Sequence, residues 1–312
     1  MQEEKLTLED LLESSKSSNI DDNRINRVAI IGAGIMGQGI AQTIAAMGLE
    51  VIIVEIDAEK LEAAKAQLTE SIDREIKRWA MTKSDKKSIF GRIKWETDTS
   101  SVKDCEIIIE AVQEDFDLKV SIFKSLDKIA NPDTIFVSNT STLSLTQLSE
   151  SISRPSKVIG MHFLNPVPKV PMVELVKGLH TSNETVLKVK EFASKIGKTP
   201  VEVYDYPGFI TTRAIVPLIN EAMHILLEGI ATAKDIDTAL KLGYNFQYGP
   251  LEMADMMGLD DVLTWMETLW KTLGEPRYRP NSLLRKMVRE RKLGKKTGEG
   301  IFKYDEHGNK IN

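Results

Sequence analysis

The stretch "RVAIIGAGIMGQGIAQ", residues 27–42, constrains the fold of this chain more than any other. A run rich in β-branched residues ends in Gly32, and Gly34 and Gly37 complete a G-x-G-x-x-G pattern that opens a helix. Glycines at this spacing permit a tight turn, close approach of backbone to a pyrophosphate, and close packing of helix on strand. The helix N-terminus offers N–H groups and a positive partial charge to phosphate. Gly32, Ala33, Gly34, Ile35, Met36 and Gly37 are therefore the candidate dinucleotide contacts. The next strand, "EVIIVE", ends in Glu55, at the distance expected of a carboxylate that binds a ribose 2′-hydroxyl. A carboxylate there disfavours a 2′-phosphate, and no arginine follows it closely, so the cofactor is read as NAD rather than NADP. Asp57 is the other acid within reach, but Glu55 is the one that ends the apolar run.

The same region raises a membrane question, because residues 28–49 carry no charge and are long enough to span a bilayer. Gly32, Gly34, Gly37, Gly39 and Gly48, with Gln38 and Gln42, fit a buried strand, turn and helix better than a lipid-facing helix. The first residues, "MQEEKLTLEDLLESS", are acidic and lack the basic start and cleavage site of a signal peptide. The only cysteine, Cys105, opens the apolar run "CEIIIEAV" and reads as a buried thiol in a reducing compartment. A cytoplasmic protein with no membrane association is expected. A formal charge of -5 argues against general nucleic-acid binding.

Strand-like and helical patterns alternate from residue 27. "RVAIIG", "EVIIVE", "EIIIEAV", "TIFVSN", "KVIGMHF", "MVELV" and "PVEVYD" read as strands. Leu61, Ala64, Leu68, Ile72, Ile76 and Trp79 mark one face of a long helix, and further helices are expected at 118–129 and 184–196. This alternation predicts an α/β domain with a mostly parallel, Rossmann-like sheet at 25–206. After "DYPGF" strand signals nearly vanish, and an all-helical domain is expected at 207–312. Residues 1–24 form a separate acidic extension.

"GMHFLNPVPKVPMVEL", residues 160–175, sets His162 and the isolated acid Glu174 on two strand-like pieces separated by a Pro-rich turn. A reversing turn lets residues twelve apart face each other from neighbouring strands. A neutral imidazole accepts a proton near pH 7, and an adjacent carboxylate fixes its tautomer and stabilises the imidazolium. A satisfied core histidine beside a buried acid would look the same in a chain without a dinucleotide motif. No His, Cys or Asp cluster has metal-ligand spacing, so no metal is expected.

With "IGAGIMGQGIA", "IIEAVQEDFDLK", "SNTSTL", "GMHFLNPVP", "PGFI" and "LGKKTGEGIFKY" in order, the chain resembles the L-3-hydroxyacyl-CoA dehydrogenases over nearly all of residues 27–304. Within that family it is most similar to the bacterial 3-hydroxybutyryl-CoA dehydrogenases. The resemblance implies His162 as catalytic base, Glu174 as its partner, and Ser141 in contact with substrate and cofactor. It places Asn165 beside the nicotinamide and implies further NAD contacts for Glu114, Lys119 and Lys296. Ser71 and Arg78 match coenzyme A contacts, the arginine standing where an amine is more usual. The family also implies a homodimer formed through the helical domain.

Basic residues support a phosphorylated substrate independently: Arg74, Lys77, Arg78, Lys83, Lys86, Lys87, Arg92 and Lys94 face only Glu75 and Asp85 in the same segment. A solvated helix face would also carry such a run. One departure from the family stands in "PGFITTR", where Thr212 occupies the position of an asparagine near the substrate carbonyl. Two other readings remain open: a relative acting on a different hydroxy acid without coenzyme A, and a non-catalytic NAD-binding protein on the same fold.

Overall fold

A computed structural model describes residues 25–306 and 308–311. The acidic extension at 1–24 lies outside the described residues. The first domain runs β1 (Arg27–Ile31), α1 (Ile35–Ala46), β2 (Glu50–Val54), α2 (Ala58–Lys77), α3 (Lys83–Arg92), β3 (Ile93–Glu96), β4 (Ile107–Glu110) and α4 (Phe116–Asp127). It continues with β5 (Ile135–Ser138), α5 (Leu145–Ser149), β6 (Val158–Phe163), β7 (Met172–Lys177), α6 (Asn183–Lys195) and β8 (Thr199–Tyr204). The strands form one sheet in the order β3-β2-β1-β4-β5-β6-β7-β8. The first six are parallel and follow the dinucleotide-binding order, with its switch point between β1 and β4. β7 runs antiparallel to β6, and β8 runs parallel to β7.

Both sheet faces are covered, which explains why the inner strands read as unbroken apolar runs. Val28 and Ile30 point into a core with Ile40 and Ile44 of α1, Leu61 and Leu68 of α2, and Phe192 of α6. Their neighbours Ala29 and Ile31 point the other way, onto Phe123 and Leu126 of α4 and Leu145 and Leu148 of α5. Cys105 is buried, and burial pushes its thiol up to about 12, so it is inert at neutral pH.

The expected apolar face of α2 ends early. Leu61, Ala64, Leu68 and Ile72 are buried, but Trp79 is 95% exposed. The helix stops at Lys77, and Trp79 takes a left-handed backbone, φ 58°, which turns its side chain away from the helical stripe. α3 and β3 were not legible as elements, because α3 is polar nearly throughout and buries only Ile89.

The second domain comprises α7 (Thr211–Leu227), α8 (Ala233–Tyr244), α9 (Pro250–Met257), α10 (Leu259–Leu273) and α11 (Ser282–Arg289), followed by a short ladder of β9 (Lys303–Tyr304) and β10 (Lys310–Ile311). Ile219, Met223, Leu251, Met266, Leu269 and Leu284 are among its buried residues. Two buried carboxylates fasten it: Asp237 accepts from the amides of Leu251 and Glu252 at the start of α9, and Asp255 accepts from those of Ile301 and Phe302.

Two glycines of the first turn are required for packing. Gly32 has φ +102°, and a Cβ on Gly37 would lie 2.0 Å from the Gly32 carbonyl oxygen. Gly37→Ala is expected to destabilise the protein by about 1–3 kcal/mol through overpacking. Urea denaturation of the variant checks this, and an unchanged midpoint would contradict the packing described here.

Candidate active site

The C-terminal ends of the parallel strands carry the residues of interest. Gly32 follows β1, Glu55 follows β2, Glu110 ends β4, Ser138 ends β5, and His162 lies one residue from the end of β6. Open α/β sheets bind their ligands at this edge, at the switch point.

The dinucleotide turn fits NAD on structural grounds. α1 begins after Gly34 with no side-chain cap, so the helix start is not closed by the protein's own groups. A Cβ added at Gly34 would meet nothing within 4 Å, which leaves room for a pyrophosphate to approach the backbone. Glu55 sits against this turn, accepting from the Ala33 amide at 3.3 Å. Asp57 is occupied elsewhere: it caps α2 by accepting from the amides of Glu59 and Lys60. That division of labour leaves Glu55 as the acid available to a ribose.

Antiparallel pairing of β6 and β7 sets His162 directly opposite Glu174. His162 Nδ1 lies 2.6 Å from Glu174 Oε2, with both side chains buried. The carboxylate has further partners from the next domain. Oε1 accepts from the amides of Ile210 and Thr211 at 3.0 and 2.9 Å, and Oε2 accepts from the Thr211 hydroxyl at 2.8 Å. Since α7 has no cap from its own residues, Glu174 caps it from β7. Burial works to raise the Glu174 pKa, but the hydrogen bond and charge of His162 and the Thr211 bonds outweigh it, and the net shift is downward. Phe209 packs on the imidazole, with ring centroids 5.7 Å apart. His162 Nε2 has no partner among the described residues, so the free ring nitrogen is the one opposite the carboxylate.

A second buried cluster lies at the ends of β4 and β5. Lys119 is wholly buried between Glu110 at 2.9 Å and Glu114 at 3.0 Å. Glu110 also accepts from the Ser138 hydroxyl at 2.6 Å and the Val112 amide at 2.8 Å. Glu114 Oε1 gathers the "SNTST" loop: it accepts from the Thr140 hydroxyl, from the amide and hydroxyl of Ser141, and from the amide and hydroxyl of Thr142. Burial acts to raise the Glu114 pKa, but Lys119 and these donors pull it down to about 2.

The other expected site residues are dispersed. Asn165 is exposed at the start of the β6–β7 turn. Thr212 is buried on α7 beside the Glu174 contacts, and its hydroxyl makes no hydrogen bond among the described residues. Ser71 is half-buried on α2, and Arg78 is exposed just beyond it. Lys169 of the β6–β7 turn pairs with Glu75 at 2.9 Å, which ties α2 to the His162 region. Lys296 is ion-paired with Asp260 and Asp261 inside the helical domain, and no contact joins it to the dinucleotide turn among the described residues. Sequence reasoning missed Glu110, Thr211 and Phe209. Glu110 was hidden as one acid in an apolar strand, and Thr211 by attention to its neighbour.

The fold and the edge-on site define an NAD-dependent oxidoreductase with a paired imidazole and carboxylate. Residues 27–206 match the 3-hydroxyacyl-CoA dehydrogenase, NAD binding domain, and residues 208–304 match the 3-hydroxyacyl-CoA dehydrogenase, C-terminal domain. The chain belongs to the 3-hydroxyacyl-CoA dehydrogenase family. It is 44% identical over 282 residues to a probable 3-hydroxybutyryl-CoA dehydrogenase of Bacillus subtilis, an alignment that covers 90% of this chain and 98% of that one. It is 40% identical over 279 residues to a 3-hydroxybutyryl-CoA dehydrogenase of Clostridioides difficile, covering 89% of this chain and 99% of that one. The crystal structure of (S)-3-hydroxybutyryl-CoA dehydrogenase from Ralstonia eutropha superposes with a TM-score of 0.83 at 44% identity, covering 91% of this chain and all of the other.

Glu114 gives a pH prediction with a definite sign. Its carboxyl, held at about 2 against an ordinary 4.5, contributes stability that is present above pH 4.5 and lost as pH falls toward 2. Unfolding free energy measured between those limits is expected to fall less steeply in Glu114→Gln than in the wild type. Equal slopes would contradict the charge network described.

Proposed function

We propose that this chain oxidises short-chain (S)-3-hydroxyacyl-CoA, with 3-hydroxybutyryl-CoA as the preferred class, reversibly to the 3-oxoacyl-CoA. The observation that carries the reading is the buried His162–Glu174 pair at the sheet edge that also holds the dinucleotide turn. NAD, held by the turn at Gly32, Gly34 and Gly37 and by Glu55, supplies a hydride acceptor. His162 Nε2 takes the proton of the substrate hydroxyl in oxidation and returns it in reduction. Glu174 holds Nδ1 protonated and stabilises the imidazolium once it forms. Since folding depresses the Glu174 pKa, the acid stays charged throughout the working range of an imidazole.

Thr212 offers its hydroxyl to the substrate oxygen, Ser141, whose hydroxyl donates to Glu114, presents a lone pair to substrate and cofactor, and Asn165 flanks the site at its mouth. Glu114 and Lys119 act by holding the Ser141 loop in shape, since Lys119 is enclosed by carboxylates. Lys296 takes no direct part in this reading, being engaged with Asp260 and Asp261.

The coenzyme A moiety is assigned to the tip formed by the end of α2 and the start of α3, with Ser71 and Arg78 as contacts. Arg74 and Lys86 are internally paired there, while Lys77, Arg78, Lys83 and Lys87 have no ion pair among the described residues and offer free charge to phosphate groups. Exposed Leu227, Ile230, Leu242, Tyr244 and Phe246 support a homodimer through the helical domain. A single buried cysteine suits action in the cytoplasm. No described helix is long and apolar enough to cross a membrane.

Loss of NADH absorbance tests the reading. Consumption is expected with acetoacetyl-CoA and not with free acetoacetate, which would instead point to the relative that dispenses with coenzyme A. His162→Gln is expected to lower kcat by roughly 10²–10⁴, the range of a positioned acid–base group, with NADH affinity little changed. Near-native turnover in that variant would remove His162 from the base role.

A further inference from the structure

Lys198 stands immediately before β8 and has no role in the chemistry described above. Its side chain is buried, and no carboxylate pairs with it among the described residues. Its ammonium instead donates to two main-chain oxygens, Val167 at 2.5 Å and Val170 at 2.6 Å. Burial pushes its pKa below the ordinary lysine range. Burying a cation without a counter-ion is costly unless its hydrogen bonds are well made.

Both acceptors belong to the turn between His162 and Glu174. The amides of Lys169 and Val170 donate to the Pro166 carbonyl at 2.9 and 3.1 Å, which closes the turn on itself. Val167 and Pro168 press against α1: a Cβ added at Gly39 would lie 3.1 Å from Val167 Cβ and 3.6 Å from Pro168 Cδ. Lys169 reaches Glu75 on α2. The amide of Thr199 donates to the Pro171 carbonyl at 2.7 Å, so the grip continues into β8. One turn thus touches the helix that opens the dinucleotide site, the helix that carries the basic tip, and the strand of His162. Lys198 holds it through the Val167 and Val170 carbonyls.

An apolar residue at 198 would leave two carbonyls unmet, and a neutral donor would bind them more weakly than a charge-assisted one. A four-carbon stem with three N–H donors reaches both oxygens at once. We infer that Lys198 is a positioning residue: its ammonium locks the 166–170 turn and so sets the spacing between the His162 imidazole and the cofactor crevice beside α1. The inference rests on the dehydrogenase reading for its kinetic consequence, but its structural part is independent of any substrate.

The experiment compares wild type with Lys198→Met, Lys198→Gln and Lys198→Arg. Amide hydrogen exchange at Lys169 and Val170 is measured without cofactor, and kcat, KM and the pH profile of kcat are measured with acetoacetyl-CoA and NADH. Slow exchange is expected in the wild type and at least roughly tenfold faster exchange in Lys198→Met, since loss of two bonds loosens the turn. In the folded Lys198→Met protein kcat is expected to fall by roughly 10–100-fold, the scale of a small misplacement of reacting groups. KM for acetoacetyl-CoA and the midpoint of the pH profile should hold, and Lys198→Arg should recover most of the rate. A variant that is less heat-stable but turns over within about threefold of wild type would make Lys198 merely structural and overturn the inference. A shifted pH midpoint would overturn it too, because the lysine would then act on the ionisation of His162. If Lys198→Met does not fold, Lys198→Gln is judged by the same criteria, and fast exchange at both amides in the wild type refutes the lock outright. Wild-type protein inert toward acetoacetyl-CoA would sink the proposed substrate instead, and the exchange arm would then decide for Lys198 alone.

Discussion

The Glu174 carboxylate is the point on which the site and the domain junction both depend. Two oxygens serve four donors: the His162 ring, the amides of Ile210 and Thr211, and the Thr211 hydroxyl. A buried carboxylate is tolerated only when its lone pairs are met, and here they are met from both domains. The same charge that orients the imidazole also caps the first helix of the second domain. Any movement of α7 relative to the sheet therefore disturbs the histidine, and the imidazole cannot reorient without leaving a buried carboxylate short of a partner. Reversal of β7 is what makes this geometry available. A parallel strand would have arrived from the far edge of the sheet, whereas the short turn at 166–171 returns the chain within reach of His162.

The Glu110–Lys119–Glu114 cluster has a different task. Glu110, Lys119 and Glu114 are buried together, and the loop amides and hydroxyls at 140–142 and the Ser138 hydroxyl donate to the two carboxyl groups. Ion pairs of this kind rarely add much stability over apolar packing, but removal of one partner is costly. Their effect here is to hold Ser141 in a fixed position next to the sheet edge. Glu114 thus shapes the loop through five donors.

Much of this was legible in the sequence. The turn of Gly32, Gly34 and Gly37 after β1, with Glu55 set against it, was legible because a tight glycine turn ahead of a helix leaves a local pattern. His162 and Glu174 were legible as a pair because a Pro-rich turn at fixed distance implies an antiparallel return. Thr211 was not legible, since its partner comes from a strand 37 positions earlier in the chain and no local spacing encodes that meeting. Lys198 was hidden for the same reason: a lysine beside a Thr-Pro step reads as a surface residue until the turn it grips is seen. Trp79 misled because helical periodicity takes no account of where a helix stops, and its own left-handed backbone turns its side chain off the stripe. The polar α3 escaped because periodicity needs apolar residues to repeat.

In the proposed function, Glu174 holds a proton on Nδ1 of His162 and leaves Nε2 bare to accept one from substrate. Nitrogen-15 NMR of histidine-labelled protein, recorded across a pH series, tests it directly. In the neutral ring of His162 the proton is expected on Nδ1, with a low-field, unprotonated Nε2. A ring found with the proton on Nε2 would contradict it, because the nitrogen facing away from Glu174 could not then serve as the base.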